Sequence, residues 1–429
     1  MKNRHPIALS VLVCSALLTS HSALAQYSQQ GPKLVGAGAH VSQRQGSSVS
    51  LSADGNTAIV GGDSFTTTGI GEGPEASGPG AVWVWTRSAG VWTQQGTKLV
   101  GAEENLLEGF SVSLSADGNT AIVGAPGDNF HLGATWIWTR NGEVWTQQGP
   151  KLIGAGGALQ GYSVSLSADG NTAIVGGPKD RPDNGGGGAW IWVRSGGIWT
   201  QQGPKLVGSG AGGFAHQGSS VSVSADGNTA IVGGPFDDNG GAAWIWTRSG
   251  GVWTQQGNKL VGSGATAFAV QGVSVALSAD GNTAIVGGAD AAWVWIKSGG
   301  VWIQQGAKLP GSSPSVSLSG DGNTALVGMP SDNGDRGSAR IWTRSGGVWS
   351  QQSNKLFGSG ATGNAQQGYS VSLSADGSTA IIGGPADNNS AGAAWVFVFD
   401  PASVPVASVW LLAALAVMLA LLGAMRIRA

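Results

Sequence analysis

Residues 161–176 read Gly161-Tyr-Ser-Val-Ser-Leu-Ser-Ala-Asp-Gly-Asn-Thr-Ala-Ile-Val-Gly176, and residues 189–202 read Ala189-Trp-Ile-Trp-Val-Arg-Ser-Gly-Gly-Ile-Trp-Thr-Gln-Gln202. Four strands are legible here. Residues 162–166 alternate small polar and apolar side chains at period two. Residues 172–176 and 189–193 are rich in the β-branched and aromatic side chains that suit a pleated surface, and 198–202 form a fourth short segment leading to Lys205-Leu206. Between the first two strands stands Asp169-Gly170, a strong hairpin signal that predicts a type I′ turn with positive φ at both central residues. Between the last two stands Ser195-Gly-Gly197, where glycine supplies the left-handed conformation of a slightly longer hairpin. The unit is therefore four antiparallel strands.

The unit repeats. The Ala-Asp-Gly-Asn-Thr signature, or a near variant, places its aspartate at Asp54, Asp117, Asp169, Asp226, Asp280, Asp321 and Asp376, 41 to 63 residues apart. Four-stranded units of this size are propeller blades, so an all-β, seven-bladed β-propeller of four-stranded antiparallel blades is predicted. The chain ends support closure. After Trp395-Val-Phe-Val-Phe399 the seventh unit lacks a fourth strand, while Tyr27-Ser-Gln-Gln-Gly-Pro-Lys-Leu34 is a fourth strand without a unit. The N-terminal strand is expected to close the last blade and cover an edge that otherwise invites association. An open solenoid would need distinct capping repeats, and the sequence has none.

Composition agrees with a packed, turn-rich body. The chain has 75 Gly and 19 Trp but only 11% charged residues, and its 41% hydrophobic residues are enough to build a core where a low-complexity chain would stay disordered. The Trp residues recur in threes, as in Trp136, Trp138 and Trp145 or Trp244, Trp246 and Trp253. Each buried Trp removes about 150–250 Å² from water, or roughly 4–6 kcal/mol gross. Packing between blades is the expected role; a sugar-stacking platform is the alternative. All 24 acidic residues lie in 26–400, which makes this body net acidic and argues against nucleic acid as a partner.

Both ends read as processing segments. Residues 1–25 carry Lys2 and Arg4, an apolar run and Ala23-Leu-Ala25, the layout of a secretory signal peptide cut before Gln26. Cys14, the only cysteine, lies within it, and bulky Val13 disfavours a lipoprotein signal there. A processed body would contain no thiol. Residues 401–429 hold a linker, an apolar stretch over 404–424 and the basic residues Arg426 and Arg428. Twenty-one helical residues span about 31 Å, enough to cross a bilayer once, with the basic tail inside and the body outside. The layout resembles the C-terminal sorting signals of bacterial envelope proteins that exosortase-type enzymes process, with Val406-Ala407 where the best-known form has Glu-Pro. A permanent anchor is the other reading.

The repeated Gly-Tyr-Ser-Val-Ser-Leu-Ser-Ala-Asp-Gly-Asn-Thr-Ala-Ile-Val-Gly pattern with its Trp-Thr-Gln-Gln strand resembles bacterial FG-GAP repeats, relatives of the integrin α propeller. The namesake ends stand at Gly109-Phe110, Gly161-Tyr162 and Gly124-Ala-Pro126; elsewhere Gly-Gly-Pro replaces the last. The resemblance implies an exported surface or matrix protein that mediates adhesion or binds an extracellular protein or polysaccharide. Its remaining partners would be the sorting machinery and, through the C-terminal helix, the membrane. Integrin-like blades often hold calcium, but Asp-Gly-Asn offers too few oxygens for the six to eight ligands calcium takes. The other acidic series, Asp128, Asp183, Asp237, Asp238, Asp332, Asp335 and Asp387, supplies the candidate calcium ligands; turn formation is the alternative reading, and no cofactor is otherwise expected. For catalysis, His40, His131 and His216 have no metal-binding spacing, and Glu103, Glu104 and Glu108 form the only local carboxylate cluster. A noncatalytic binding protein is expected; a carbohydrate-active enzyme or lectin using the Trp-rich propeller is the alternative.

Overall fold

The computed structural model describes residues 26–39, 42–66, 75–76, 80–101, 107–156, 159–179, 186–266, 268–311 and 315–400; the leader and the segment 401–429 lie outside them. Tyr27–Phe399 form one compact unit. It is a seven-bladed propeller of antiparallel four-stranded sheets. Blade 3 contains Ser163–Leu166 innermost, then Thr172–Gly177, Gly188–Ser195 and, outermost, Ile198–Gln201. These bounds differ from the sequence expectation by at most two residues.

The two hairpins of a blade exchange the turn types expected of them. In blade 3 the Gly170 N–H donates to the Ser167 carbonyl at 2.9 Å, and only Gly170, at φ +65°, is left-handed in that turn. The Asp169 carboxylate closes the loop instead. Its Oδ1 accepts the Ser167 hydroxyl at 2.5 Å and the Asn171 backbone N–H at 2.9 Å, and its Oδ2 accepts the Asn171 side chain at 3.0 Å. A side chain that engages three donors replaces the second positive φ, so no type I′ turn forms here. The type I′ turn lies in the outer hairpin, where Ser195 faces Ile198 and Gly196 and Gly197 take φ +57° and +80°.

Small polar residues join the blades. In the inner strands the first serine hydroxyl donates to a glycine carbonyl of the next blade, from Ser48 to Gly109, Ser111 to Gly161, Ser163 to Gly218, Ser220 to Gly272, Ser315 to Gly368 and Ser370 to Gly46, all at 2.7–2.9 Å. The second serine accepts a backbone N–H of the next inner strand, as Ser50 does from Leu114 at 3.2 Å and Ser372 from Leu51 at 3.1 Å. At the tight-turn end of the axis, backbone N–H groups run in one direction around the whole ring. Ala53 donates to Ala116, then Ala168, Ala225, Ala279, Gly320 and Ala375 follow in turn, and Ala375 donates back to Ala53, at 2.7–3.0 Å.

The tryptophans pack within and between blades. The first Trp of each third strand is Trp83, Trp136, Trp190, Trp244, Trp293 or Trp395, all buried. In five of these a glycine of the entering linker lies flat against the ring: a Cβ on Gly208 would stand 2.2 Å from Trp244. The second Trp is buried between blades, and in Trp138, Trp192, Trp246, Trp295 and Trp342 the indole N–H has no hydrogen-bond partner. Such an orphan costs about 1–3 kcal/mol, less than the roughly 4–6 kcal/mol of burying the ring. The third Trp, on the outer strand, lies under an arginine in five blades. Arg194 stands 5.4 Å over Trp199, and both donate to Gln148 of the preceding blade at 3.1 Å.

The N-terminal strand Gln26–Gln29 pairs with Ala393–Asp400 and completes blade 7, as expected. Tyr27 is buried, stacks edge-on to Phe399 and donates its hydroxyl to the Gly377 carbonyl. Burial, with the Asp376 charge adding to it, pushes the Tyr27 phenol up to about 12, so it remains a donor. Gln30 then accepts Arg87 and Trp92 of blade 1, each at 3.1 Å, which repeats the junction used elsewhere. A chain beginning at Gly36 should therefore melt on the order of 5–10 °C below one beginning at Gln26 and associate through the exposed edge. Thermal melting with light scattering measures this; two equally stable monomers would show that the strand is no clasp.

Candidate ligand-binding site at the axial mouth

Antiparallel order sends the tight Asp-Gly-Asn and Ser-Gly-Gly turns to one face and the loops after the second strand, with the linkers between blades, to the other. The tight-turn face is nearly identical from blade to blade. The loop face is not. At the entry to the inner strand, directly after the left-handed glycine, the repeats carry Ser47, Phe110, Tyr162, Ser219, Val273 and Tyr369. Ring closure brings most of this position to the axis, where a cavity of about 520 Å³ opens on the loop face.

The mouth mixes aromatic and charged side chains. Phe110 and Tyr162 pack as a tilted pair with centroids 4.7 Å apart, and His216 meets Phe236 edge-on at 4.9 Å. In neighbouring blade 1 Arg44 donates to Asp63 at 3.1 Å while its guanidinium lies 5.8 Å over the Tyr369 ring. The confined site pushes the Tyr162 phenol up to about 12, first through burial and then through the nearby Tyr369 and Asp63, and raises Tyr369 for the same first reason. Burial, assisted by Lys179, lowers His216, so the imidazole is neutral at physiological pH. Beside the mouth a second hollow of about 370 Å³ lies between Phe214, Phe236 and Phe268, all exposed. Phe130, on the blade 2 loop, is 97% exposed and held at φ +56°, a conformation that bulky residues avoid. Exposed aromatics thus gather on the loop face.

The described residues of the acidic loop series are engaged by lysines and by backbone. Asp128 pairs with Lys151 at 3.0 Å, Asp237 with Lys259 at 2.5 Å, Asp332 with Lys355 at 2.7 Å and Asp387 with Lys33 at 2.5 Å. Each lysine precedes the leucine that re-pairs with its blade's third strand, so the salt bridge ties the loop to the outer strand. Asp238 shares Lys259 at 2.6 Å; Asp335 takes a left-handed loop conformation, and its backbone carbonyl accepts Gln366. Asp183 lies outside the described residues. Among those residues no group of three histidine, cysteine or acidic side chains converges.

Other sequence candidates also separate. Glu103, Glu104 and His40 lie outside the described residues, and His131 sits in the left-handed turn beside Phe130. Glu108 is buried, and its two oxygens accept the Gly101 N–H at 2.9 and 2.8 Å. It stands where Gln45, Gln160, Gln217, Gln271 and Gln367 staple the linkers of other blades, for example Gln160 to Gly154 at 2.6 and 2.7 Å. The Trp rings are taken up by packing. Sequence reasoning missed Tyr369, Phe236 and Lys179 as neighbours; the varying residue after each inner-strand glycine was the available signal.

No family model and no curated protein matches the chain. Among solved structures it is similar to the β-propeller domain of Cps50 (Swd1) from Myceliophteria thermophila, at 13% identity and a TM-score of 0.54, covering 82% of this chain and 96% of that one. At that identity the likeness concerns the fold alone. Among the described residues no helix is long and apolar enough to cross a membrane; 404–424 lie outside them.

Lysine ammonium groups occupy the acidic loops in the way a cation would. A chelator should leave the melting temperature of the 26–400 body within about 2 °C, and added calcium should not raise it. Calorimetry with and without EDTA decides this; a fall of about 10 °C or more, the loss of several kcal/mol, would assign the loops to metal.

Proposed function

We propose that the chain is an exported, noncatalytic binding module of the FG-GAP, integrin-like kind, displayed at the cell surface or in the surrounding matrix, and that its ligand docks on the loop face. The supporting observation is positional. In a chain whose blades repeat almost residue for residue, chemical variety concentrates where the axis opens, around Phe110, Tyr162, His216, Phe236 and Tyr369. Aromatic anchors beside a desolvated Arg44–Asp63 pair have the composition of a protein-binding hot spot. An extracellular protein that inserts an apolar side chain into the mouth and rests on Phe214, Phe236 and Phe268 fits this surface. In this reading the signal peptide directs export, and the C-terminal segment serves sorting or anchoring.

The lectin or carbohydrate-active reading would use these same rings or the half-buried outer-strand tryptophans such as Trp199 and Trp253, since the third-strand tryptophans are taken up by blade packing. Beads coated with the 26–400 body should adhere to cells of the producing strain. The combined variant Phe214→Ser, Phe236→Ser, Phe268→Ser should adhere at least about tenfold less while melting at the same temperature, since each truncated hot-spot anchor costs on the order of 2 kcal/mol. Equal adhesion would overturn the assignment of the face, and release of sugars from a glycan panel would replace binding with catalysis.

A further inference from the structure

Blade 6 breaks the pattern in three linked ways. First, its third strand carries Arg340 opposite Val327, the register position that holds Trp83, Trp136, Trp190, Trp244, Trp293 and Trp395 elsewhere. Second, the linker entering it runs only from Leu309 to Ser315, eight residues shorter than the Leu260 to Ser274 and Leu356 to Ser370 linkers of blades 5 and 7. Third, its loop carboxylate is uncovered. In blades 4 and 7 a linker amide reaches the aspartate, from Gly212 to Asp237 and from Thr362 to Asp387, both at 2.6 Å, and those side chains are 1% exposed. Asp332 accepts the Ser338 hydroxyl at 2.6 Å instead, and its side chain is 22% exposed.

The result is a polar cleft of about 840 Å³ between the blade 6 loop and the linker to blade 7. Asp332 is already matched by Lys355, through contacts of 2.7 and 2.8 Å. Burial alone would raise its carboxyl, but the Lys355 and Ser338 hydrogen bonds, with the charges of Lys355 and Arg340, bring it below the usual range. Arg336 is exposed on the cleft wall, and Arg340, whose buried Nε has no hydrogen-bond partner, stands on the adjoining third strand; set against exposed Asp335 of the same loop, they leave one surplus positive charge. Asn333, Asn354 and Asn364 add amides that both donate and accept. Phe357, 70% exposed, offers a flat apolar face at the edge.

We propose that this cleft is a second ligand site and that it takes an acidic oligosaccharide. A pyranose ring stacks on Phe357, its hydroxyls exchange hydrogen bonds with the asparagine amides, and its carboxylate meets the planar guanidinium of Arg336. A neutral sugar leaves the surplus charge unmatched, and a compact inorganic anion gains nothing from the phenyl face. The cleft shares no lining residue with the axial mouth, so the proposal stands independently of the docking face assigned above.

The test is calorimetric titration of the 26–400 body with trigalacturonate and with maltotriose. Trigalacturonate should bind with a dissociation constant at or below about 1 mM and at least tenfold more tightly than maltotriose, and the difference should shrink with added salt. Arg336→Ser and Phe357→Ser, both at exposed positions, should each weaken trigalacturonate at least about fivefold without moving the melting temperature. The loop-face variant Phe236→Ser should bind it as the parent does. Absence of binding, equal affinity for the two sugars, or affinity indifferent to Arg336 and Phe357 would each overturn the site.

Discussion

Seven backbone hydrogen bonds that close on themselves carry the architecture. Each blade gives an N–H to the next at the axis, from Ala53 through Ala116, Ala168, Ala225, Ala279 and Gly320 to Ala375 and back to Ala53. A ring leaves no donor and no acceptor over, whereas any open arrangement strands one of each beside two unpaired sheet edges. The geometry also restricts side chains. A Cβ on Gly320 would lie 3.1 Å from the Ala375 carbonyl oxygen, 3.4 Å from the Ala375 methyl and 3.6 Å from the Ala279 methyl, so even a methyl is tight at this position and larger residues crowd the axis. The repeated alanine before each turn aspartate is thus a packing requirement. The serine pairs of the inner strands extend the same logic along the axis, with hydroxyls that reach across each junction where apolar side chains could not satisfy the facing backbone.

Most of this architecture is local and therefore legible in sequence. Period-two alternation and paired glycines mark strands and hairpins without knowledge of the partner, and an orphan strand at one end with a three-strand unit at the other implies the clasp made by Tyr27 and Gln30. The parts that were not legible depend on residues brought together by closure. Asp169 looks like a two-residue turn former until its three donors are seen. The pairing of Asp237 and Asp387 was not legible because their lysines, Lys259 and Lys33, stand in linkers or at the far end of the chain. Glu108 looks like part of a catalytic pair, yet it takes the place of a structural glutamine. The axial mouth was invisible for the same reason: Phe110, Tyr162 and Tyr369 are neighbours only once the ring has closed.

Repetition and its exceptions divide the labour. The tight-turn face and the blade junctions hold nearly invariant chemistry, and the exceptions collect where chain and solvent meet. The passage from blade 5 to blade 6 gathers several of them: Ala276 replaces a junction serine, Lys297 an arginine, Gly320 the ring alanine and Arg340 a buried Trp. Ser274 supplies the substitute contact there, accepting the Val316 N–H at 3.0 Å. One irregular junction in seven is tolerated because the other six hold the register, and the cleft beside blade 6, about 840 Å³, is larger than the equivalent one of about 450 Å³ between the blade 7 loop and the linker to blade 1.

The closed amide ring can be measured directly by hydrogen exchange resolved at single residues on the 26–400 body. Its seven amides sit in short, partly exposed turns, where unprotected N–H groups exchange quickly. If the ring is closed, Ala53, Ala116, Ala168, Ala225, Ala279, Gly320 and Ala375 exchange only with global unfolding, at the same free energy as second-strand amides such as Ile174 and Val175. Exchange of these seven at the rate of ordinary surface turns, with Ile174 and Val175 still protected, would contradict the account.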